Sequence, residues 1–166
     1  MLTGDFGQGM LIPFSVLPLL LTLVAAGLWT DQLGDREAWR LPAAYVTGLV
    51  AGILLVAFSL NLPYPAIGAA VGVIVLGVMV ALSVSLHGFL GMLVAAAVAL
   101  WQGYAELGTA AFPLVRWIGL GVGVILALAA GIGLGAMFGR ALGNSAIRFL
   151  GLVIAALGLW LLFQVI

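Results

Sequence analysis

The sequence predicts an all-α membrane protein: one integral domain over residues 1–166, a bundle of six transmembrane helices with both termini outside. Three observations predict it. Hydrophobic residues make up 66% of the 166 and charged residues only 6%, whereas a soluble domain carries about a quarter charged residues. The apolar residues gather into runs of about twenty, enough to cross a hydrocarbon core about 30 Å thick. Within those runs Gly and Ala recur every four positions, the spacing that lets helix backbones approach closely in lipid.

The same composition excludes several function classes. Lys plus Arg and Asp plus Glu stand at five each, so no basic surface recruits nucleic acid. The chain has no cysteine, which removes disulfides, thiolate metal sites, iron–sulfur clusters and covalent haem. Its one histidine, His87, cannot by itself build a multi-imidazole metal site. No nucleophile lies beside a base and no carboxylate dyad is present, so no enzyme and no organic cofactor are expected. The pairs Gly119-x-Gly121-x-Gly123 and Gly131-x-Gly133-x-Gly135 sit inside an apolar run with no preceding strand, and carry no nucleotide-binding meaning.

Residues 1–9 are short and polar and lack the basic region of a secretory signal, so the start is read as uncleaved. The first span covers about 10–29. Pro18 lies inside it, kinking the helix and freeing the carbonyl of Phe14, which Ser15 is placed to satisfy. A polar linker, 30–40, holds Asp31, Asp35, Arg36, Glu37 and Arg40. The second span, 41–60, opens on Pro42 in its first turn and carries Ala44, Gly48 and Gly52. Residues 61–65 (Asn-Leu-Pro-Tyr-Pro) form a tight turn by composition. The third span, 65–86, carries Gly68 and Gly72 on one diagonal and Ala69, Gly77 and Ala81 on another.

The fourth span, 88–105, has small residues at Gly91, Ala95, Ala99 and Gly103. It ends in the densest polar group attached to any apolar run, Gln102, Tyr104 and Glu106. Gln102 and Glu106 are an i, i+4 pair and on an α-helix share a face. That group is the candidate site for a polar solute. Its bland counterpart is a surface position where Glu106 pairs loosely with Arg116 or meets water, an interaction worth about 0–1 kcal/mol.

The fifth span, 113–139, holds the longest small-residue series: Gly119, Gly123, Ala127, Gly131, Gly135 and Gly139. Such series serve as packing faces. Residues 143–145 (Gly-Asn-Ser) break the chain and offer a helix cap. The sixth span, 146–165, carries Gly151 and Ala155. Arg36, Arg40, Arg140 and Arg148 fall on one side and Arg116 on the other, which places the 30–40 and 139–148 linkers in the cytoplasm. Trp29 and Trp39 would mark the inner membrane boundary, and Trp101, Trp117 and Trp160 the outer one. Spans two to four offer no ionisable group at depth, only Thr47, Ser59, Ser83 and Ser85, so proton coupling through a midplane carboxylate is not expected. His87 falls in the turn between spans three and four, where a histidine is ordinary.

Several stretches resemble the HupE/UreJ family of hydrogenase and urease accessory membrane proteins. Residues 27–34 (Gly-Leu-Trp-Thr-Asp-Gln-Leu-Gly) are similar to the family's Gly-Leu-Trp-x-x-Gln-Leu-Gly. Arg36 and then Trp39-Arg40-Leu41-Pro42 are similar to its approach to the second helix. Residues 102–106 (Gln-Gly-Tyr-Ala-Glu) resemble its His-Gly-x-Ala-His segment, and residues 150–155 and 158–162 its last helix. The resemblance implies uptake of nickel or cobalt through a His-x5-Asp-His motif in the first helix and two histidines in the fourth. This chain has Ile12, Pro18 and Leu19 at the first set of positions, and Gln102 and Glu106 at the second. Imidazole suits nickel, and aliphatic side chains cannot coordinate it.

Three functions follow as expectations: a family metal permease with its ligands lost, a non-transporting subunit of a larger membrane complex, or a passive conduit for a small neutral solute. The expected surroundings are the lipid bilayer of a bacterial inner or comparable energy-transducing membrane, with other membrane subunits as partners.

Overall fold

A computed structural model describes residues 2–34, 39–86, 88–108 and 112–166, the side chains of Leu2 and Thr3 excepted. All regular structure among them is helical. The order is α1 (Leu2–Ser15), α2 (Leu17–Leu33), α3 (Arg40–Ala57), α4 (Pro65–Ala81), α5 (Gly88–Gln102) running into a π turn (Gly103–Leu107), α6 (Leu114–Leu142) and α7 (Asn144–Val165). Large apolar side chains such as Phe58, Phe89, Leu114 and Phe163 are exposed around the outside, as suits a molecule solvated by lipid. Four helices are long and apolar enough to cross a membrane, and a fifth span results if the bent pair α1–α2 counts as one. The apolar α4 has 17 residues, about 26 Å of helix at 1.5 Å per residue.

The first span departs most from expectation. Helix already begins at Leu2, before the expected start of the first span at about residue 10. The chain then breaks at Val16 rather than bending gently at Pro18, and α1 and α2 meet at 76°. Pro18 lies in the first turn of α2, where its missing N–H costs nothing. Ser15 Oγ donates to the carbonyl of Leu11 at 3.0 Å, not to that of Phe14. A helical Ser returns to its i−4 carbonyl by the shortest path.

Two other boundaries shift. The third span stops at Ala81, and Ser83 takes a left-handed φ of 50° in the turn that follows. Asn144 does not cap α7 from outside but is its first residue, with Gly143 before it at φ 77°. Trp29 is fully buried in the core, so it faces protein rather than lipid headgroups. Its indole donates to the carbonyl of Val84 at 2.8 Å. His87, Arg36 and the rest of 35–38 lie outside the described residues.

Packing is organised by glycines whose missing side chain admits another backbone. Along α6, Gly119 and Gly123 back onto Phe6 and Met10 of α1. Further on, Gly131 meets Val24 and Gly27 of α2, and Gly135 meets Asp31. A Cβ on Gly27 would lie 2.7 Å from the Cα of Gly131. Ala127, between the two groups, is fully buried. Both halves of the bent pair therefore follow one face of α6 in the same direction.

At the start of the π turn Gly103 lies on the Leu49 carbonyl, while Gly48 and Gly52 of α3 lie on Ala96 and Leu100 of α5. That pair is also parallel. Ala95 and Ala99 are fully buried. Gly91 is different: a Cβ there would reach Trp29 only at 3.7 Å, ordinary contact. Gly139 meets just the tip of Ile147 at 3.2 Å. Helices α4 and α7 pack antiparallel, with Gly77 on Ala155, Gly151 on Ala81 and Gly158 on Ile74. Between α2 and α3, the Tyr45 hydroxyl donates to Thr22 Oγ1 at 2.7 Å in the buried core, and Thr22 turns back to its own helix at Pro18 and Leu19.

Candidate polar sites at the two helix ends

The polar group at the end of α5 is split by the π turn. A π turn spends an extra residue per turn and recurs at functional sites in membrane and soluble helices alike. The one that starts at Gly103 interrupts the α-helical register between Gln102 and Glu106, so the shared face expected of an i, i+4 pair is lost. Gln102 is fully buried and its Nε2 donates to the Ala69 carbonyl of α4 at 3.0 Å. Its Oε1 is buried without a hydrogen-bond partner. Tyr104 Oη accepts from the backbone N–H of Leu62, in the turn before α4, at 3.2 Å.

Glu106 is half-buried on the π turn. Arg116 does not pair with it. The guanidinium is held by Asp5 of α1 at 3.0 Å and by Gln8, and lies over the Phe112 ring. The Trp101 indole packs directly against Gly68, and the two help to line an apolar groove of about 370 Å³ between α4 and α5.

Chain positions 12, 18 and 19 carry no donor toward a metal. Leu19 is fully buried in the core and Ile12 packs against it. Among the described residues, no three His, Cys, Asp or Glu side chains come together as a metal-binding group.

A second polar cluster, not singled out in the sequence, lies at the opposite end of the bundle. Gln32 Nε2 donates to the Val80 carbonyl at 3.1 Å and to Ser83 Oγ at 3.3 Å. Asn144 Nδ2 donates to the same Ser83 Oγ at 3.4 Å. Arg148 Nε donates to the Ala81 carbonyl at 2.8 Å. With Trp29 on Val84, four side chains thus hold the frayed C-terminal end of α4. Asp31, Gln32, Ser83 and Asn144 line a pocket of about 250 Å³, and Gln32 Oε1 is buried there without a partner. The signal for it was the polar end of the 27–34 stretch, Asp31-Gln32, attached to an apolar run as Glu106 is.

The chain matches the family described as HupE / UreJ protein over residues 2–161. It belongs to the HupE/UreJ family. The Protein HupE of Rhizobium leguminosarum bv. viciae is 31% identical over 154 residues, which cover 90% of this chain and 80% of that protein. No solved structure matches the chain. Within the HupE/UreJ scaffold, the 27–34 stretch has a physical task. Gly27 seats α2 on α6, and Trp29 and Gln32 close the end of α4.

Proposed function

We propose that this HupE/UreJ protein is a membrane permease for a small charged solute of the divalent-metal class, nickel and cobalt by family, and that it holds them weakly. The observation that carries the reading is that two of the helices are interrupted. The first span is broken at Val16, and the fourth ends in a π turn at its polar group. Interrupted helices are the means by which membrane transporters turn backbone and side-chain oxygens toward a solute. In place of imidazoles this chain offers oxygen donors on either side of the π turn, the half-buried Glu106 carboxylate and the buried, unpartnered oxygen of Gln102. Oxygen donors suit nickel and cobalt less well than histidine does, so binding is weak and release is easy.

A second reading rests on a different observation. The Gln102 amide and the Tyr104 hydroxyl are already bound to backbone groups of neighbouring segments, as expected of packing residues. In that reading the chain is a non-transporting accessory subunit of a larger complex in a bacterial energy-transducing membrane. Accumulation of radioactive nickel and cobalt separates the two. Cells expressing this chain should accumulate metal above vector background, though less than cells expressing a histidine-bearing relative. Glu106→Gln should return uptake to background, and Gln102→Leu should lower it while leaving the protein folded. Uptake at background with the intact, membrane-inserted protein overturns the permease and leaves the subunit.

A further inference from the structure

The two halves of the chain repeat each other at an offset of 74 residues. Helix α2 ends at Leu33 and the π turn after α5 ends at Leu107; α3 begins at residue 40 and α6 at residue 114. Gln32-Leu33-Gly34 recurs as Glu106-Leu107-Gly108. In the C-terminal part of α4, Val73, Leu76, Gly77, Val80 and Ala81 pack inward, and Ile147, Leu150, Gly151, Ile154 and Ala155 of α7 do so 74 positions on. Ala69, Ala70 and Gly72 of α4 and Gly158 of α7 are buried outside this correspondence.

The helix pairing follows the same exchange. Helix α2 pairs in parallel with α6, and α5 in parallel with α3, while α4 and α7 pair antiparallel with each other. A twofold axis that swaps the halves requires that set: two equivalent parallel pairs and one pair related to itself. An odd number of helices per half then points the halves in opposite directions. Helix α1 has no counterpart and is an addition to the first half.

We infer that the halves form an inverted repeat whose two ends open alternately, with Trp29 and Gln32 as the clasp of one end and Glu106, the equivalent of Gln32, at the mouth of the other. The inference rests on the permease reading but does not need the solute to be known. Inverted repeats are able to exchange conformations across their axis, which moves access from one face to the other. In this structure the Gly34 end is shut. Trp29 and Gln32 bind the Val84 and Val80 carbonyls, and Ile147 is buried beneath them at the floor of the 250 Å³ pocket. At the Gly108 end Gln102 and Tyr104 bind the Ala69 carbonyl and the Leu62 N–H, Arg116 is held by Asp5 and Gln8, and Glu106 is half-exposed.

The test uses reactivity of single cysteines, Ile147→Cys and Glu106→Cys, in a chain that has none of its own. A membrane-impermeant thiol reagent is applied to each face of sealed vesicles. Trp29→Phe removes the hydrogen bond to Val84, and loss of one such bond shifts a two-state balance by about fivefold. Modification at 147 should rise by about that factor, and modification at 106 should fall. Gln32→Met, which leaves Trp29 in place, should move both rates in the same opposed directions. A rise at both positions means simple loosening and overturns the inference, as does a change at 147 with none at 106. Such an outcome leaves the uptake result standing, so the two readings fail separately.

Discussion

Single glycines set this bundle's geometry, and their neighbours differ enough to be told apart. Gly131 faces the backbone of α2, with the Val24 carbonyl 2.6 Å from where a Cβ would lie, whereas Gly133 on the same helix faces open space. Gly131→Ala should therefore push α2 off α6 and cost about 1–3 kcal/mol of stability, the usual penalty for overfilling a packed site. Gly133→Ala should be neutral or stabilising by up to about 1 kcal/mol, because Ala is the better helix former. Unfolding of the two variants in mixed detergent micelles checks this, and equal losses would contradict it. The four-residue spacing put Gly119 through Gly139 on one face, and for five of its six members the neighbour is α1 or α2 or the buried core. Spacing did not show that Gly91 has only ordinary van der Waals neighbours and that Gly139 meets only the tip of Ile147. That depends on which helix arrives opposite, which no local pattern encodes.

At the scale of the element, the two interruptions decide what the helices present. Composition marked the first span as kinked, and Pro18 was the visible cause, yet the chain separates two residues earlier. Pro18 has no N–H for the Phe14 carbonyl and its ring crowds that carbonyl, so helix cannot continue from α1 through it. A new helix starts at Leu17 instead, and Gly123 and Gly131 hold α1 and α2 on either side of the gap. Pro18→Ala restores the missing N–H and should let helix run through Val16. That would straighten the pair and lift α1 from Gly119 and Gly123. A spin-label pair at Leu11 and Leu126, both exposed, should report a longer and broader distance than in the parent chain. An unchanged distance would assign the break to α6 packing alone. The π turn had no sequence signal of comparable clarity. Glu106 and Gln102 have the spacing of a shared α-helical face, and only the backbone of Gly103 against Leu49 shows why the register slips there.

For the whole molecule, the helical membrane class was plain from composition, and the family from the stretches at 27–34 and 102–106. The repeat was hidden because its halves share few identical residues. Val against Ile, Gln against Glu and Leu against Leu reveal it only once packing shows which residues are equivalent. The α3–α4 turn, the α1 addition and the greater length of α6 obscure the offset further. We propose an up-and-down chain of six passes, with the 30–40 and 139–148 linkers on the cytoplasmic side, as the arrangement that joins these features. Four helices, or five spans with the bent pair, meet the length and apolarity a crossing needs among the described residues. In the six-pass arrangement, positions 74 apart stand on opposite faces of the membrane. The most direct measurement labels Trp39→Cys and Pro113→Cys, two exposed and equivalent positions, from each side of sealed membranes with an impermeant thiol reagent. Reaction of 39 from the cytoplasmic side and 113 from the other is the expected result. Reaction of both from one side would contradict the inverted halves, the six passes and the pathway between the two polar ends.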